Sequence, residues 1–215
     1  MTETITVMLV DDHAVVRAGY RMLLGQTPFI EVVCEAETGE EACQKFMDYC
    51  PQVIVMDLNL PGIGGLAALR RIRARDDKAR ILMFSIHDEA VYIQRALAAG
   101  ACGYITKSCT PATLIAAVIS VAKGTPYLEA GLKTGWNESV ATYPSNQVRV
   151  AGLSAREFDV FRLLASGYST RDAADELHLS VKTVANYATS IKEKLKLGTT
   201  ADMVRLAFEL GLIHR

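Results

Sequence analysis

Short apolar runs alternate with longer amphipathic segments over the first 123 residues. The amphipathic segments carry apolar residues at three- and four-residue steps, which is typical of helices, whereas the compact apolar runs favour buried strands. Strands and helices that alternate in this way predict repeated βαβ units and a parallel α/β sheet. The predicted strands are Ile5–Val10, Ile30–Ala36, Val53–Met56, Ile81–Phe84 and Gly103–Ile105. The predicted helices are Ala14–Leu24, Gly39–Tyr49, Leu66–Ala74, Glu89–Ala99 and Pro111–Ala122.

The pattern changes twice after residue 123. Residues 124–152 are rich in Gly, Pro, Ser and Asn, which indicates a linker, with one short helix expected near Glu129–Thr134. From Leu153 the pattern is purely helical and predicts four helices. These are Ala155–Ala165, Thr170–Leu177, Val181–Lys196 and Ala201–Leu210. Because only His178 and Leu179 separate the second helix from Ser180, the cap of the third, a helix-turn-helix is expected.

Composition narrows the class of protein. The 50% hydrophobic and 22% charged residues suit two globular cores, and no apolar run reaches the roughly 20 residues of a membrane helix, so we expect a cytoplasmic protein. The five cysteines contain no Cys-x-x-Cys pair, and we interpret them as buried or half-buried free thiols. Residues 153–215 carry 9 Lys/Arg against 8 Asp/Glu, so any DNA binding must depend on a local patch and on dimerisation.

Polar side chains follow the ends of the predicted strands. Asp11 and Asp12 follow the first strand, Asp57 the third, Ser85 the fourth and Lys107 the fifth. In an open parallel sheet, ligands bind outside the carboxyl ends of the strands, so these side chains should converge on one crevice. A single acidic residue at a strand end is usually only solvated, but this set of five predicts a site.

The chemistry of the set points to phosphoryl transfer. Three carboxylates repel one another, and oxygen ligands of this kind are what Mg²⁺ prefers. With Mg²⁺ bound, Asp57 is the candidate nucleophile, and Lys107 would neutralise charge on the transferred group. The neighbouring His13 is a further candidate ligand, although a histidine at a helix start is more often a solvated residue.

The residues of this site resemble the receiver domains of two-component response regulators, over about Thr4–Lys123. The resemblance implies a flavodoxin-like, doubly wound (βα)₅ fold. It also implies that Asp12 and Asp57 hold Mg²⁺ with the Asn59 backbone, and that Asp11 contributes directly or through water. Ser85 would turn toward the phosphoryl group, and Tyr104 would be an aromatic switch. A core tyrosine with its hydroxyl at the surface is the alternative for Tyr104.

The third helix of the second domain is the candidate DNA reader. Val181, Val184, Ala188, Ile191 and Leu195 repeat at three- and four-residue steps, so this face should pack on the other helices. Amide, hydroxyl and ammonium groups on the remaining surface suit a major groove. We assign phosphate contacts to Lys182, Thr183 and Lys192, and base contacts to Asn186 and Thr189.

The motifs from Leu153-Ser-Ala-Arg-Glu157 to Lys194-Leu195 resemble a LuxR-type helix-turn-helix, a small all-α four-helix domain. With the receiver at 1–123, the linker at 124–152 and this domain at 153–215, the whole chain resembles a NarL/FixJ-class response regulator. The resemblance implies that a sensor histidine kinase phosphorylates Asp57, and that the phosphorylated chain dimerises and binds double-stranded DNA to regulate transcription. Two alternatives stay open: a Mg²⁺-dependent phosphohydrolase, and a regulator whose receiver is never phosphorylated.

Overall fold

A computed structural model describes residues 4–132, 150, 152–210 and 212–213. The chain divides into two compact units, Met1–Trp136 and Asn137–Arg215. The sequence-based boundaries at residues 123 and 153 remain predictions. Residues 133–149 of the predicted linker lie outside the described residues. The short helix expected near Glu129–Thr134 is wrong where the structure describes it, because residues 129–132 form a turn instead of a helix. Across the described ranges, no helix is both long and apolar enough to cross a bilayer.

A parallel six-stranded sheet forms the first unit, with strand order β2-β1-β3-β4-β5-β6. The strands are β1 (Ile5–Val10), β2 (Ile30–Ala36), β3 (Val53–Met56), β4 (Ile81–Ser85), β5 (Gly103–Thr106) and β6 (Tyr127–Leu128). The helices are α1 (Ala14–Gly25), α2 (Gly39–Tyr49), α3 (Gly65–Arg75), α4 (Ala90–Ala98) and α5 (Pro111–Ala122). The strand order, which runs from β1 to β2 on one side and from β1 through β3, β4 and β5 on the other, confirms the doubly wound α/β fold.

The central strands carry the core of this unit. All four residues of β3 are buried, as are those of β5, because helices cover both faces of a parallel sheet. Leu114, Ala117, Val118 and Val121 of α5 pack against the same cluster of buried residues. Thr38 and Thr110 begin α2 and α5 by accepting hydrogen bonds from Glu41 N and Thr113 N. The strand ends that carry the polar residues are therefore fixed by a packed core.

Two expectations for this unit need correction. The sequence predicted five strands, but Tyr127 and Leu128 pair with Gly103 and Tyr104 as a sixth. A Cβ at Gly103 would lie 2.6 Å from the Tyr127 carbonyl oxygen, so glycine permits this approach. The thiols are free, but Cys50, the residue that caps the end of α2 with φ of 44°, is exposed, so the expectation of a buried or half-buried thiol is wrong there.

Within residues 152–210 of the second unit the structure describes four helices: α6 (Ala155–Ala165), α7 (Thr170–Glu176), α8 (Val181–Leu195) and α9 (Thr200–Glu209). Ser154 and Glu157 form the capping box that the sequence predicted. His178 adopts φ of 54° between α7 and α8, and the next amide, Leu179 N, donates to Ala174 O at 2.8 Å. This left-handed residue closes the short turn, and the helix-turn-helix expectation is confirmed.

Candidate phosphoacceptor site and nucleic-acid interface

Asp11, Asp57 and Lys107 meet at the carboxyl ends of β1, β3 and β5. The Lys107 ammonium lies 2.6 Å from Asp11 Oδ2 and 2.7 Å from Asp57 Oδ2. Both aspartates are 5% exposed, and their backbones are held by the sheet, with Asp57 N donating to Val10 O at 2.8 Å. One ammonium therefore bridges two buried carboxylates at the edge where the strands end.

The start of α3 also depends on this site. A Cβ at Gly65 would lie 2.0 Å from the Asp57 carbonyl oxygen, so only glycine lets the helix approach so closely. Gly65 N donates to Leu58 O at 3.1 Å, and Asn59 N donates to Asp57 Oδ1 at 3.1 Å. The loop after Asp57 thus turns back over the carboxylate.

Burial sets the electrostatics of the pair. Burial raises the pKa of the Asp57 carboxyl above its usual value, and this effect outweighs the Lys107 ammonium, which acts in the opposite direction. Burial alone would lower the pKa of Lys107, but the Asp57 and Asp11 carboxylates hold that pKa above its usual value. Burial therefore makes the Asp57 carboxylate costly to keep ionised, and the Lys107 ammonium beside it offsets part of that cost.

Asp12 and His13 complete the acidic edge. One ligand atom from each of Asp11, Asp12 and His13 lies within 4.8 Å of the others. His13 Nδ1 is 2.7 Å from Asp12 Oδ1, yet this buried oxygen accepts no hydrogen bond of good geometry from any described residue. His13 itself is 67% exposed at its side chain, which fits a solvated residue at a helix start better than a buried ligand.

These donors fit a magnesium ion. The three carboxylates of Asp11, Asp12 and Asp57 and the carbonyl of Asn59 supply the hard oxygen ligands that Mg²⁺ prefers, with room for water. The buried Asp12 Oδ1, which lacks a hydrogen-bond donor among the described residues, is the kind of atom that a cation would satisfy. Asp12 and Asp57 would hold the ion together with Asn59, and Asp11 would hold it directly or through water.

Ser85 and Tyr104 lie beside the site, and both are fully buried. Lys107 N donates to the Ser85 carbonyl at 2.7 Å, so the two residues are neighbours through the main chain. Burial raises the pKa of the Tyr104 hydroxyl well above its usual value, despite a hydrogen bond with Ser85. The Tyr104 hydroxyl donates to the His87 carbonyl at 2.9 Å, so the alternative that placed this hydroxyl at the surface is wrong.

The sequence reasoning missed His87 and Arg17. The His87 ring stacks on Tyr92 with centroids 4.0 Å apart, and its Nε2 lies 2.9 Å from Asn59 Nδ2. Arg17 is buried in α1 and donates to the Asp11 carbonyl at 2.7 Å. His87 could have been found from the sequence, because it lies two residues after Ser85 at the end of a predicted strand. Arg17 could not, because an arginine inside an amphipathic helix gives no signal that it is buried.

The helix α8 displays most of the predicted DNA contacts. Lys182, Asn186 and Thr189 are exposed, and Thr183 and Lys192 are half-buried. The Thr189 hydroxyl donates to Ala185 O at 3.1 Å, which leaves its lone pairs for an outside donor. Thr183 N donates to the Ser180 hydroxyl at 3.1 Å, in the first turn of the helix.

The packed face of α8 differs from the prediction at one residue. Val184, Ile191 and Leu195 are buried as expected, and Ala188 is half-buried, but Val181 is 49% exposed. Val181 is the first residue of the helix, and its side chain lies beyond the part that the other helices cover. The predicted packing of Val181 is therefore wrong, and an apolar side chain stands next to Lys182.

A buried carboxylate ties α8 to α6. Glu157 accepts hydrogen bonds from Ser190 Oγ at 2.7 Å, Lys194 Nζ at 2.8 Å and Ser154 N at 2.8 Å. Burial alone would raise the pKa of Glu157, but these donors, with Lys194 first, bring it below its usual value. The lysine that pairs with Glu157 is thereby engaged within the domain, which separates it from Lys182 and Lys192.

The comparisons with known proteins agree with both units. Residues 7–119 match the family model of the response regulator receiver domain, and residues 151–207 match that of bacterial regulatory proteins of the LuxR family. The transcriptional activator protein ExaE of Pseudomonas putida is 41% identical over 213 residues, which cover 97% of this chain and 98% of that protein.

Two solved structures are similar as well. The crystal structure of a two-component response regulator of the LuxR family from Aurantimonas sp. SI85-9A1 is 42% identical, with a TM-score of 0.59 over 60% of this chain and 93% of that one. The response regulator ChrA of a heme-sensing two-component system is 31% identical, with a TM-score of 0.53 over 98% of this chain and 99% of that one.

Proposed function

The chain belongs to the LuxR-type response regulators of two-component systems, within the NarL family, and from this premise we propose how its two units work together. A sensor histidine kinase phosphorylates Asp57 in a Mg²⁺-dependent reaction. The phosphorylated chain dimerises and binds specific DNA sequences to regulate transcription. A protein that binds the chromosome in this way acts in the cytoplasm. This function follows most directly from the buried Asp57 carboxylate, which shares the Lys107 ammonium with Asp11.

The transfer step needs a carboxylate nucleophile and a place for the charge of the phosphoryl group. The P–N bond to the kinase histidine breaks, the histidine nitrogen keeps the bonding electron pair, and a P–O bond forms to the Asp57 carboxylate. A bound Mg²⁺ ion supplies neutralisation of the phosphoryl oxygens. Lys107 has three N–H donors and uses two of them on Asp11 and Asp57, so its third donor is available to a phosphoryl oxygen.

Phosphorylation adds roughly −1.5 to −2 charge units if the acyl phosphate resembles other phosphorylated residues. The added oxygens favour a hydrogen bond from the Ser85 hydroxyl, which at present accepts from His87 N at 3.3 Å. A move of Ser85 toward the phosphoryl group would break the hydrogen bond that His87 N donates to it and alter the environment of the Tyr104 hydroxyl, which donates to His87 O. Ser85 and Tyr104 would thus couple phosphorylation to the surface formed by α4 and β5.

DNA binding would use the exposed side of α8. Lys182, Thr183 and Lys192 hold phosphates, while Asn186 and Thr189 reach base edges in the major groove. Because the domain carries little net positive charge, a single copy gains little from general attraction to DNA. Two copies on paired half-sites about one helical turn apart would supply the missing affinity.

The test compares DNA affinity before and after phosphorylation. Wild type, Asp57→Asn and Asp48→Asn are incubated with acetyl phosphate and Mg²⁺, and each is titrated against operator fragments selected by genomic binding-site mapping. Asp48 is an exposed acid on α2 and serves as the matched control. We expect at least about a tenfold gain in affinity for wild type and Asp48→Asn and none for Asp57→Asn. An equal gain in Asp57→Asn would contradict the proposal.

A further inference from the structure

Arg17 is a buried arginine that contacts the main chain of the acidic site and not its carboxylates. It lies in α1 and is 7% exposed. Its guanidinium donates to the Asp11 carbonyl oxygen at 2.7 Å, to Glu37 Oε1 at 2.6 Å and to Glu35 Oε2 at 3.3 Å. One side chain thus joins the end of β1 to two carboxylates at the end of β2.

These contacts leave the Asp11 peptide little freedom. Asp11 N donates to Ala36 O at 3.1 Å, so with Arg17 on the carbonyl both polar groups of this residue's backbone are held. The next turn is fixed from the same side, because Arg17 N donates to His13 O at 3.0 Å. Asp12 lies between these two anchored residues.

The two glutamates orient the guanidinium. Glu35 also pairs with Arg21 at 2.7 Å, so its carboxylate is held between two guanidinium groups, whereas the Glu37 carboxylate is 62% exposed and meets Arg17 from the solvent side. The planar fork of an arginine can donate in several directions at once, which the single ammonium of a lysine cannot reproduce with the same geometry. The residue type therefore suits a fixed brace between the two strand ends.

We propose that Arg17 is a positioning residue for the Mg²⁺ site. It holds the Asp11–Asp12 turn so that the carboxylates of these two residues point to the ion, although it touches no metal ligand oxygen itself. The inference rests on the proposed function, because it assumes that Asp11 and Asp12 bind Mg²⁺ during phosphorylation of Asp57. Residues that orient ligands in this way change metal affinity by about 10–100-fold when they are replaced.

Charge and position predict opposite results at Arg17. If Arg17 acted only as a charge, its removal would make the site more negative and would strengthen Mg²⁺ binding. If Arg17 positions the acidic turn, its removal lets the turn relax and weakens Mg²⁺ binding. The sign of the change in Mg²⁺ affinity therefore separates the two roles.

Arg21 provides the matched control. It lies one turn further along α1 and shares the partner Glu35, but it is 60% exposed, and among the described residues its ion pair is with that glutamate. Arg21→Met removes the same charge from the same helix but leaves in place the hydrogen bond from Arg17 to the Asp11 carbonyl and the ion pair of Arg17 with Glu37. We expect Mg²⁺ affinity in Arg21→Met to equal or slightly exceed that of wild type.

The experiment measures the Mg²⁺ dissociation constant of the full chain by isothermal titration calorimetry. We expect about a tenfold increase for Arg17→Met and a smaller one for Arg17→Lys. Hydrogen exchange of the peptide spanning Asp11–His13 should rise in Arg17→Met, while exchange in β3 should stay at the wild-type level. Should Arg17→Met lose its fold, Arg17→Lys decides the question, because it keeps the charge and changes only the geometry.

A second measurement separates positioning from general damage. The initial rate of phosphorylation by acetyl phosphate is followed against Mg²⁺ concentration, and the half-saturating concentration should rise while the rate at saturation stays within about twofold. If Arg17→Met binds Mg²⁺ as tightly as Arg21→Met, or more tightly, the positioning role of Arg17 is wrong while the proposed function stands. A wild-type chain that binds no Mg²⁺ would overturn the proposed function, and the role of Arg17 with it.

Discussion

Replacing Lys107 with methionine would leave the Asp11 and Asp57 carboxylates facing each other without the ammonium that now joins them. Both acids are 5% exposed, and the Lys107 side chain is 13% exposed. Removing one partner from a buried ion pair costs about 3–5 kcal/mol. The lower end applies here, because Lys107 is partly solvated and the pKa of Asp57 is already raised. We expect a loss of about 3 kcal/mol in the free energy of unfolding at pH 7 without Mg²⁺.

Mg²⁺ should reverse most of this loss. In the variant the ion meets no competing ammonium, so it stabilises the native state by about 2.7 kcal/mol at a concentration 100 times its dissociation constant, and wild type gains less. Acid should act in the same direction. Because the pKa of Asp57 is raised in the folded state, the destabilisation is present above that pKa and disappears as the pH falls through it.

Amide hydrogen exchange in β3 measures the stability of this unit without interference from the second one. Its amides are buried in the central strand and exchange through opening of the whole unit. Lys78→Met is the control, because Lys78 is an exposed lysine in the turn between α3 and β4. A loss below about 1 kcal/mol in Mg²⁺-free buffer, or an equal gain from Mg²⁺ in both proteins, would refute the reasoning.

Four further predictions concern single side chains. Tyr104→Phe should lower the stability of the first unit by about 1 kcal/mol, measured by β3 exchange, because it removes the hydrogen bond to His87 O. Glu157→Gln should make the stability of the second unit less sensitive to acid. The pKa of Glu157 is lowered in the folded state, so wild type loses the stability that this carboxylate contributes as the pH falls through that pKa. Hydrogen exchange of the α6 amides should therefore vary less with pH in the variant than in wild type. Lys182→Ala should reduce the slope of log affinity against log salt by about 1, and an unchanged slope would exclude the phosphate contact. Asn186→Ala should cost about 1–3 kcal/mol and relax specificity at one base, which a selection from random operators would reveal.

The sequence predicted the strand ends well because their signal is local. A run such as Val53–Met56 must be buried on both faces, and the residue after it must lie at the edge of the sheet, so Asp57 could be placed with its partners. The strand β6 gave no such signal, since two residues are too short to show alternation. Its pairing with β5 requires a glycine at position 103, because a Cβ there would collide with the Tyr127 carbonyl. No residue near Tyr127 in the sequence shows that this distant glycine leaves room for a sixth strand.

The missed residues depend on contacts between distant parts of the chain. The buried Arg17 is paired with Glu35 in β2 and with Glu37 just after it, and no periodicity within α1 reveals those partners. Val181 was placed in the core by its spacing alone, whereas the ends of a helix need not be covered even when the spacing continues. Local pattern therefore located the phosphoacceptor site, and only the folded chain shows what supports it.

Phosphorylation of Asp57 is tested most directly by the mass of the full chain after incubation with acetyl phosphate. With Mg²⁺ present, we predict the addition of one phosphoryl group per chain, located on the peptide that contains Asp57 and absent from Asp57→Asn. Chelation of Mg²⁺ should abolish the addition. A phosphoryl group on another residue, or an equal yield in Asp57→Asn, would contradict the claim that Asp57 is the phosphoacceptor.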